Sequence, residues 1–235
     1  MSEAPTFEPL GDDAVLIRFG AGIDAALSAR VHAAAARIAA MDIPGILDLV
    51  PGYASLGVIC DGAFRADDRQ AFAYERIVET LRGTIEENAS AMVSKPRIVD
   101  IPVRYDGPDL DDVARRAGLT ATEAAARHAA GDYTVAMLGF APGFPYLLGL
   151  DPALHTPRRA TPRTRVPPGS VAIGGAQTAV YPQTLPGGWN LIGRTPLALF
   201  DLSRTPPNLV APGDRVRFRA IDHEEFETLC TKNSA

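Results

Sequence analysis

Of the chain's 21 glycines and 20 prolines, 23 lie between Gly139 and Gly213. That density forbids a long helix there, because proline lacks an amide N–H and fixes φ, while glycine weakens regular structure through its conformational freedom. The apolar runs that remain are short: YTVAMLGF, VAIGGAQTAVY, NLIGRTPLALFD and, just beyond, APGDRVRFRAI. Short runs separated by Gly/Pro turns predict a closed barrel or a sandwich. Gly174 and Gly175 read as a hairpin turn within one of them. The proline-dense stretch HTPRRATPRTRVPPGS resists regular structure. In a compact domain a loop of that length is functional or disordered.

The segments before it have helical signals. FEPLGDDAVLIRF predicts two strands about a Gly-Asp-Asp turn. An Ala-rich helix follows, with Ile23, Leu27, Val31 and Ile38 at helical spacing, Asp24 as its N-cap, and Asp42 and Pro44-Gly45 as its stop. ILDLVPGYASLGVICD gives two strands joined by a Pro-Gly-Tyr-Ala turn, and Cys60 at their end reads as a small buried hydrophobe. A second helix spans ADDRQAFAYERIVETLRGTIEEN, burying Phe72, Ile77, Leu81 and Ile85, with Asp67 and Asp68 near its N-terminal end. The order ββαββα predicts a sheet with helices on one face. A boundary near Met92 to Pro96 separates an N-terminal α+β domain (residues 1–94) from a mainly β barrel domain (residues 95–235). The second domain opens with the strand RIVDIPV and two short helices, DLDDVARRAG and TATEAAARHAAG. Asp109 with Asp112 and Thr120 with Glu123 read as their caps, and HEEFETLC as a terminal helix.

Composition narrows the function classes. With 235 residues and 46% hydrophobic content the chain can bury a core without staples, and two cysteines are too few for a disulfide framework or a cysteine zinc site. No apolar run approaches the roughly 18 residues that span a membrane, and the N-terminus lacks a basic or apolar signal region, so a cytoplasmic location without membrane contact is expected. A net charge of -5 argues against nucleic acid as the partner. A phosphate loop, a dinucleotide fingerprint and a His-Glu-x-x-His helix are all absent.

The charge is unevenly placed. From Pro152 to Phe200 there is no Asp or Glu, yet Arg158, Arg159, Arg163, Arg165 and Arg194 lie there. Arginine binds carboxylate and phosphate as a rigid two-pronged fork. Such a segment predicts an anionic ligand or an acidic partner surface, against the plainer reading of a solvated basic loop. Phe140, Phe144 and Tyr146 alternate with Gly and Pro in GFAPGFPYLLGL, which fits a pocket wall or a plug for the barrel end. Trp189 reads as core before ligand platform, and His155, beside the arginines, as a proton donor or simply a loop residue.

The motifs GFAPGFPYL, PRRATPRTRVPPGSVAIGG, QTAVYP, PGGWNLIGRTP and APGDRVRF occur in that order, with VPGYASLGVICD and IPVRYDGPDLDDVARRAGLT upstream. Together they closely resemble the family of the 5-oxoprolinase B subunit, also called allophanate hydrolase subunit 1, carboxyltransferase subdomain C and D, or Kip inhibitor. The resemblance covers nearly the whole chain, with a shortened loop at YDGPDL. It implies a cyclophilin-like barrel in the second domain. It also implies two partners, the 5-oxoprolinase C subunit, itself a related barrel protein, and the A subunit. With them 5-oxo-L-proline is opened to L-glutamate at the expense of ATP, accompanied by Mg. The isolated chain would then be inactive. On this reading His155, Arg158 and Arg159 are catalytic candidates, with no metal ligands of the chain's own. Arg163, Gln177, Tyr181, Arg194, Phe140, Gly143 and Phe144 are candidates for substrate or anion binding. A carboxyltransferase acting on urea-derived substrates and an inhibitor of a sensor histidine kinase are the alternatives.

Overall fold

The computed structural model describes residues 4–61, 65–66, 70–72, 74–86 and 96–233. Packing divides the chain into two compact units, Met1–Pro96 and Arg97–Ala235.

In the first unit β1 (Thr6–Pro9), β2 (Ala14–Arg18), β3 (Ile46–Pro51) and β4 (Ser55–Cys60) form an antiparallel sheet of order β1-β2-β4-β3. Helix α1 (Ala25–Ala40) packs on β3 and β4. Its N-cap is Asp24, whose carboxylate accepts the Leu27 N–H at 2.9 Å. Val15 and Ile17 of β2, Leu56 and Val58 of β4, Val31 and Ile38 of α1, and Ile77 and Leu81 of α2 (Tyr74–Glu86) share one core, which Cys60 joins. Two expectations are corrected. Ile23 precedes α1 and is exposed, because the cap at Asp24 starts the helix after it. Phe72 is not helical: it lies in β6 (Gln70–Phe72), paired with β5 (Arg65–Ala66), so α2 begins only at Tyr74. Asp67 and Asp68 fall outside the described residues.

The second unit is built on a seven-stranded, nearly closed sheet. Its strands are β7 (Ile98–Val103), β8 (Tyr133–Leu138), β9 (Pro145–Leu148), β11 (Ser170–Gly174), β12 (Gln177–Val180), β14 (Asn190–Arg194) and β15 (Arg215–Ala220). The order is β14-β11-β12-β9-β8-β15-β7, with β7 and β15 parallel and the other pairs antiparallel. Two mutual backbone hydrogen bonds between Arg104 and Arg194, each 2.9 Å, join the first strand to the last. Alternation then sorts the side chains. Val103, Val135, Leu147, Ile173, Val180, Ile192 and Phe218 point to the inner core.

Helices α3 (Leu110–Arg116) and α4 (Ala121–Ala129) pack against β14 and β15 respectively. The capping box of Thr120 and Glu123 forms as expected. His128, in the last turn of α4, enters the core fully buried between the Tyr105 hydroxyl (2.8 Å) and Thr178 Oγ1 (2.9 Å). Burial pushes its pKa down to about 3, so the ring is neutral.

The opposite face of β11, β12 and β14 is also covered. Ala172, Ala179 and Leu191 pack there with Phe144, Val166, Tyr181 and Trp189. The cover includes a two-stranded ribbon of β10 (Arg163–Val166) and β13 (Leu185–Gly187). The stretch expected to resist regular structure therefore contains a strand, ordered by its pairing with a distant segment. The terminal helix α5 (His223–Asn233) follows β15. No helix among the described residues is long and apolar enough to cross a membrane.

Candidate functional site

The acid-free segment takes its acid from elsewhere in the chain. Asp109 stands at the N-cap position of α3 but makes no side-chain cap hydrogen bond, contrary to the expected pairing with Asp112. Its carboxylate accepts from Arg159 Nη1 (2.8 Å), from Arg163 Nη1 (2.8 Å) and Nη2 (2.9 Å), and from the Leu191 N–H (2.7 Å). Its own N–H donates to the Leu191 carbonyl at 2.9 Å. The side chain is 3% exposed. Burial alone would push its pKa up; the Arg163 and Leu191 hydrogen bonds and the two guanidinium charges outweigh it and hold the carboxyl below the usual carboxylate range. Two backbone bonds and one from a side chain pin the loop that carries these arginines: Gly175 N–H to Thr156 O (2.8 Å), Arg159 N–H to Gly188 O (2.7 Å), and Asn190 Nδ2 to Pro157 O (2.9 Å).

Beside this cluster lies a pocket of about 750 Å³. Arg163, Arg165, the turn at Pro168-Gly169, Arg194, Thr195 and Leu197 line it. Asp106, Gly107 and Pro108, with Phe226 and Cys230 of α5, line it too. Arg194 pairs with Asp106 at 3.2 Å, and its Cζ lies 4.8 Å from the centroid of the Phe226 ring. Arg165 is exposed and makes neither an ion pair nor a side-chain hydrogen bond among the described residues. Ser170 also lines the pocket. Three cations thus face a space lined by the Asp106 carboxylate, which Arg104 and Arg194 share. Chemically, such a lining can accept an anion beside an apolar body of prolines, Leu197 and Phe226. Among the described residues no group of three or more His, Cys, Asp or Glu is placed to hold a metal.

The structure brings some candidate residues together and separates others. Arg163 and Arg194 line the pocket, and Arg159 supports it through Asp109. Arg158 lies away from it, with its Cζ 5.6 Å from the Trp189 ring centroid. His155 Nε2 lies 3.4 Å from the Leu150 carbonyl and is not among the residues lining the pocket. Gln177, Tyr181 and Phe144 are buried. Tyr181 and Phe144 pack edge to face at 5.2 Å, and Phe144 packs likewise on Trp189 at 5.9 Å, so these aromatics form core and not a pocket wall. Phe140 and Gly143 line a separate, smaller pocket of about 290 Å³ with Phe200 and Asn208. Phe140 has φ +68°, at the centre of a tight turn closed by Ala141 N–H to Gly139 O (2.8 Å). Sequence reasoning misses Asp106, Asp109 and Phe226 as site residues; Asp109 reads as a helix cap, and only its approach in space to the arginines reveals it.

Comparison with known proteins agrees with the motif order. A family described as the carboxyltransferase domain, subdomain C and D, matches residues 5–210. The 5-oxoprolinase B subunit of Bacillus subtilis (strain 168) is 41% identical over 226 residues, covering 93% of this chain and 94% of that protein. The 5-oxoprolinase B subunit of Escherichia coli O157:H7 is 42% identical over 212 residues, covering 89% and 93%. The crystal structure of TTHA0988 superposes with a TM-score of 0.75 at 40% identity, over 89% of this chain; this chain spans 40% of that one. The chain belongs to the carboxyltransferase subdomain C and D family, to which the 5-oxoprolinase B subunits also belong.

Proposed function

We propose that the chain is the B subunit of an ATP-dependent 5-oxoprolinase, working with the A and C subunits to open 5-oxo-L-proline to L-glutamate. The observation that carries this reading is the 41% identity to a 5-oxoprolinase B subunit over 94% of that protein's length. A lactam carbonyl is a poor electrophile. Transfer of the ATP γ-phosphoryl group to its oxygen, with ADP leaving, makes the carbon open to water, and loss of phosphate then accompanies ring opening. Both co-substrates are anions. Arg163, Arg165 and Arg194 offer preorganised donors to a carboxylate or to the charge that develops on a transferring phosphoryl group. Asp109 and Asp106 hold two of these forks in place, so little reorganisation is needed when charge appears. A metal ion accompanying the nucleotide finds no carboxylate cluster among the described residues and would be held by phosphate oxygens and partner groups.

The test is to assay the chain alone and with the A and C subunits for glutamate release that depends on ATP and 5-oxoproline. Activity only in the reconstituted set is expected. A complete set that releases no glutamate overturns the reading. Biotin-dependent carboxylation of a urea-derived substrate would instead favour the carboxyltransferase role in the family's description.

A further inference from the structure

The pocket's walls have two origins. The segments around Asp106, Arg163, Gly169 and Arg194 lie within residues 5–210, which the family match covers, whereas α5, which adds Phe226 and Cys230, lies beyond them. This helix is firmly seated. The Ile221 N–H donates to the Val103 carbonyl at 2.9 Å, Asp222 Oδ1 caps the Glu225 N–H at 2.8 Å, and Arg219 pairs with Glu225 at 2.6 Å. Phe226 itself is 6% exposed.

Its ring takes two cations. The Cζ atoms of Arg104 and Arg194 lie 5.3 and 4.8 Å from the ring centroid, both within the range in which a ring's negative face attracts a guanidinium. Asp106 binds the same pair, at 3.2 Å from Arg194. Arg104 is held further by its 2.6 Å contact with His223 Nδ1. Two neighbouring cations repel each other, so their shared position depends on the ring and the carboxylate together. The aim of Arg194, a pocket cation, is therefore fixed in part by a side chain of α5.

We propose that α5 sets this pocket's affinity for anions: Phe226 is a positioning residue that holds Arg194 for contact with the anionic group. The inference rests on the reading of this pocket as an anion site.

Titration of the purified chain with 5-oxoproline and with inorganic phosphate tests it, with melting temperature as the check on folding. Phe226→Leu keeps apolar volume but removes the ring face, and should weaken both anions about fivefold to tenfold. Phe226→Tyr keeps the face and should bind within about twofold of the unaltered chain. Arg165→Ala, at a side chain without a partner among the described residues, reports on the anion site independently. If Arg165→Ala weakens binding while Phe226→Leu does not, the role of α5 is overturned and the anion site stands. If Arg165→Ala changes nothing, or the unaltered chain binds neither anion, the anion site is wrong and the inference fails with it. Should Phe226→Leu not fold, Phe226→Met, which likewise removes the ring face, decides in its place, with binding within about twofold of the unaltered chain overturning the role of α5.

Discussion

Arg163 and Asp109 meet fork to fork, Nη1 at 2.8 Å from Oδ2 and Nη2 at 2.9 Å from Oδ1. A pair of parallel bonds fixes the plane of the guanidinium as well as its position. The carboxylate's other lone pairs take Arg159 and the Leu191 N–H. Asp109→Ala leaves that N–H unpaired and two arginines unneutralised. Because the arginine side chains are 36% and 25% exposed, water can recover part of the loss. A destabilisation of about 3 kcal/mol is expected from urea denaturation. A loss under about 1 kcal/mol would show that the carboxylate does not organise the loop.

The same carboxylate gives an acid dependence with a definite sign. Its folded pKa lies below the unfolded value. Its stabilisation is therefore complete above the unfolded carboxylate pKa of about 4 and is lost as pH falls through the lower folded value. Asp109→Asn cannot titrate, so its stability should fall less steeply than that of the unaltered chain below about pH 4. Parallel profiles in that range would contradict the assignment.

What the sequence made legible was local. Asp24, Thr120 and Glu123 cap their helices because each cap joins residues three apart. The barrel-like sheet was legible because Gly/Pro spacing sets strand length residue by residue. The charge excess at Arg158 to Arg165 was also visible. What was not visible is that Asp109, 50 and 54 residues away from Arg159 and Arg163, comes to neutralise it, since at its own position it looks like a helix cap. Phe226 was hidden for the same reason: HEEFETLC reads as a terminal helix whether or not one ring meets two arginines. Phe144 suits a pocket in sequence because aromatic rings among Gly and Pro fit a wall or a plug equally, and only its packing on Tyr181 and Trp189 separates the two.

His128 supplies a second pH dependence. Burial lowers its pKa from 6.5 to about 3, so the folded chain excludes a proton that the unfolded chain binds. Stability from this group is complete above about pH 6.5 and falls as pH drops toward the folded value, by at most about 1.4 kcal/mol per pH unit. His128→Gln keeps a donor and an acceptor for Tyr105 and Thr178 but does not titrate. It should be less stable near neutrality by about 1–3 kcal/mol, and its stability should change less between about pH 6.5 and 4. Urea midpoints across that interval measure both effects; profiles that run parallel would mean that the folded state accepts the proton.

Closure of the barrel-like sheet gives the last prediction. The Gly107 N–H donates to the Ile192 carbonyl at 3.2 Å, close to the mutual bonds of Arg104 and Arg194. A Cβ at Gly107 would overlap the backbone of Leu191, Ile192 and Gly193, which cannot swing aside as a side-chain tip can. Gly107→Ala therefore forces the two ends apart where they meet, and it carries Asp109 away from Leu191. A loss of about 2–3 kcal/mol is expected, together with weaker anion binding. Gly118→Ala is the informative comparison. Gly118 has φ +68° but open space around its Cβ position, so it should cost about 1 kcal/mol of backbone strain and leave the pocket intact. Hydrogen exchange at the Leu191 and Arg194 amides distinguishes the two, with faster exchange in Gly107→Ala alone. Equal exchange in both variants would show that the close approach at Gly107 does not hold the sheet closed.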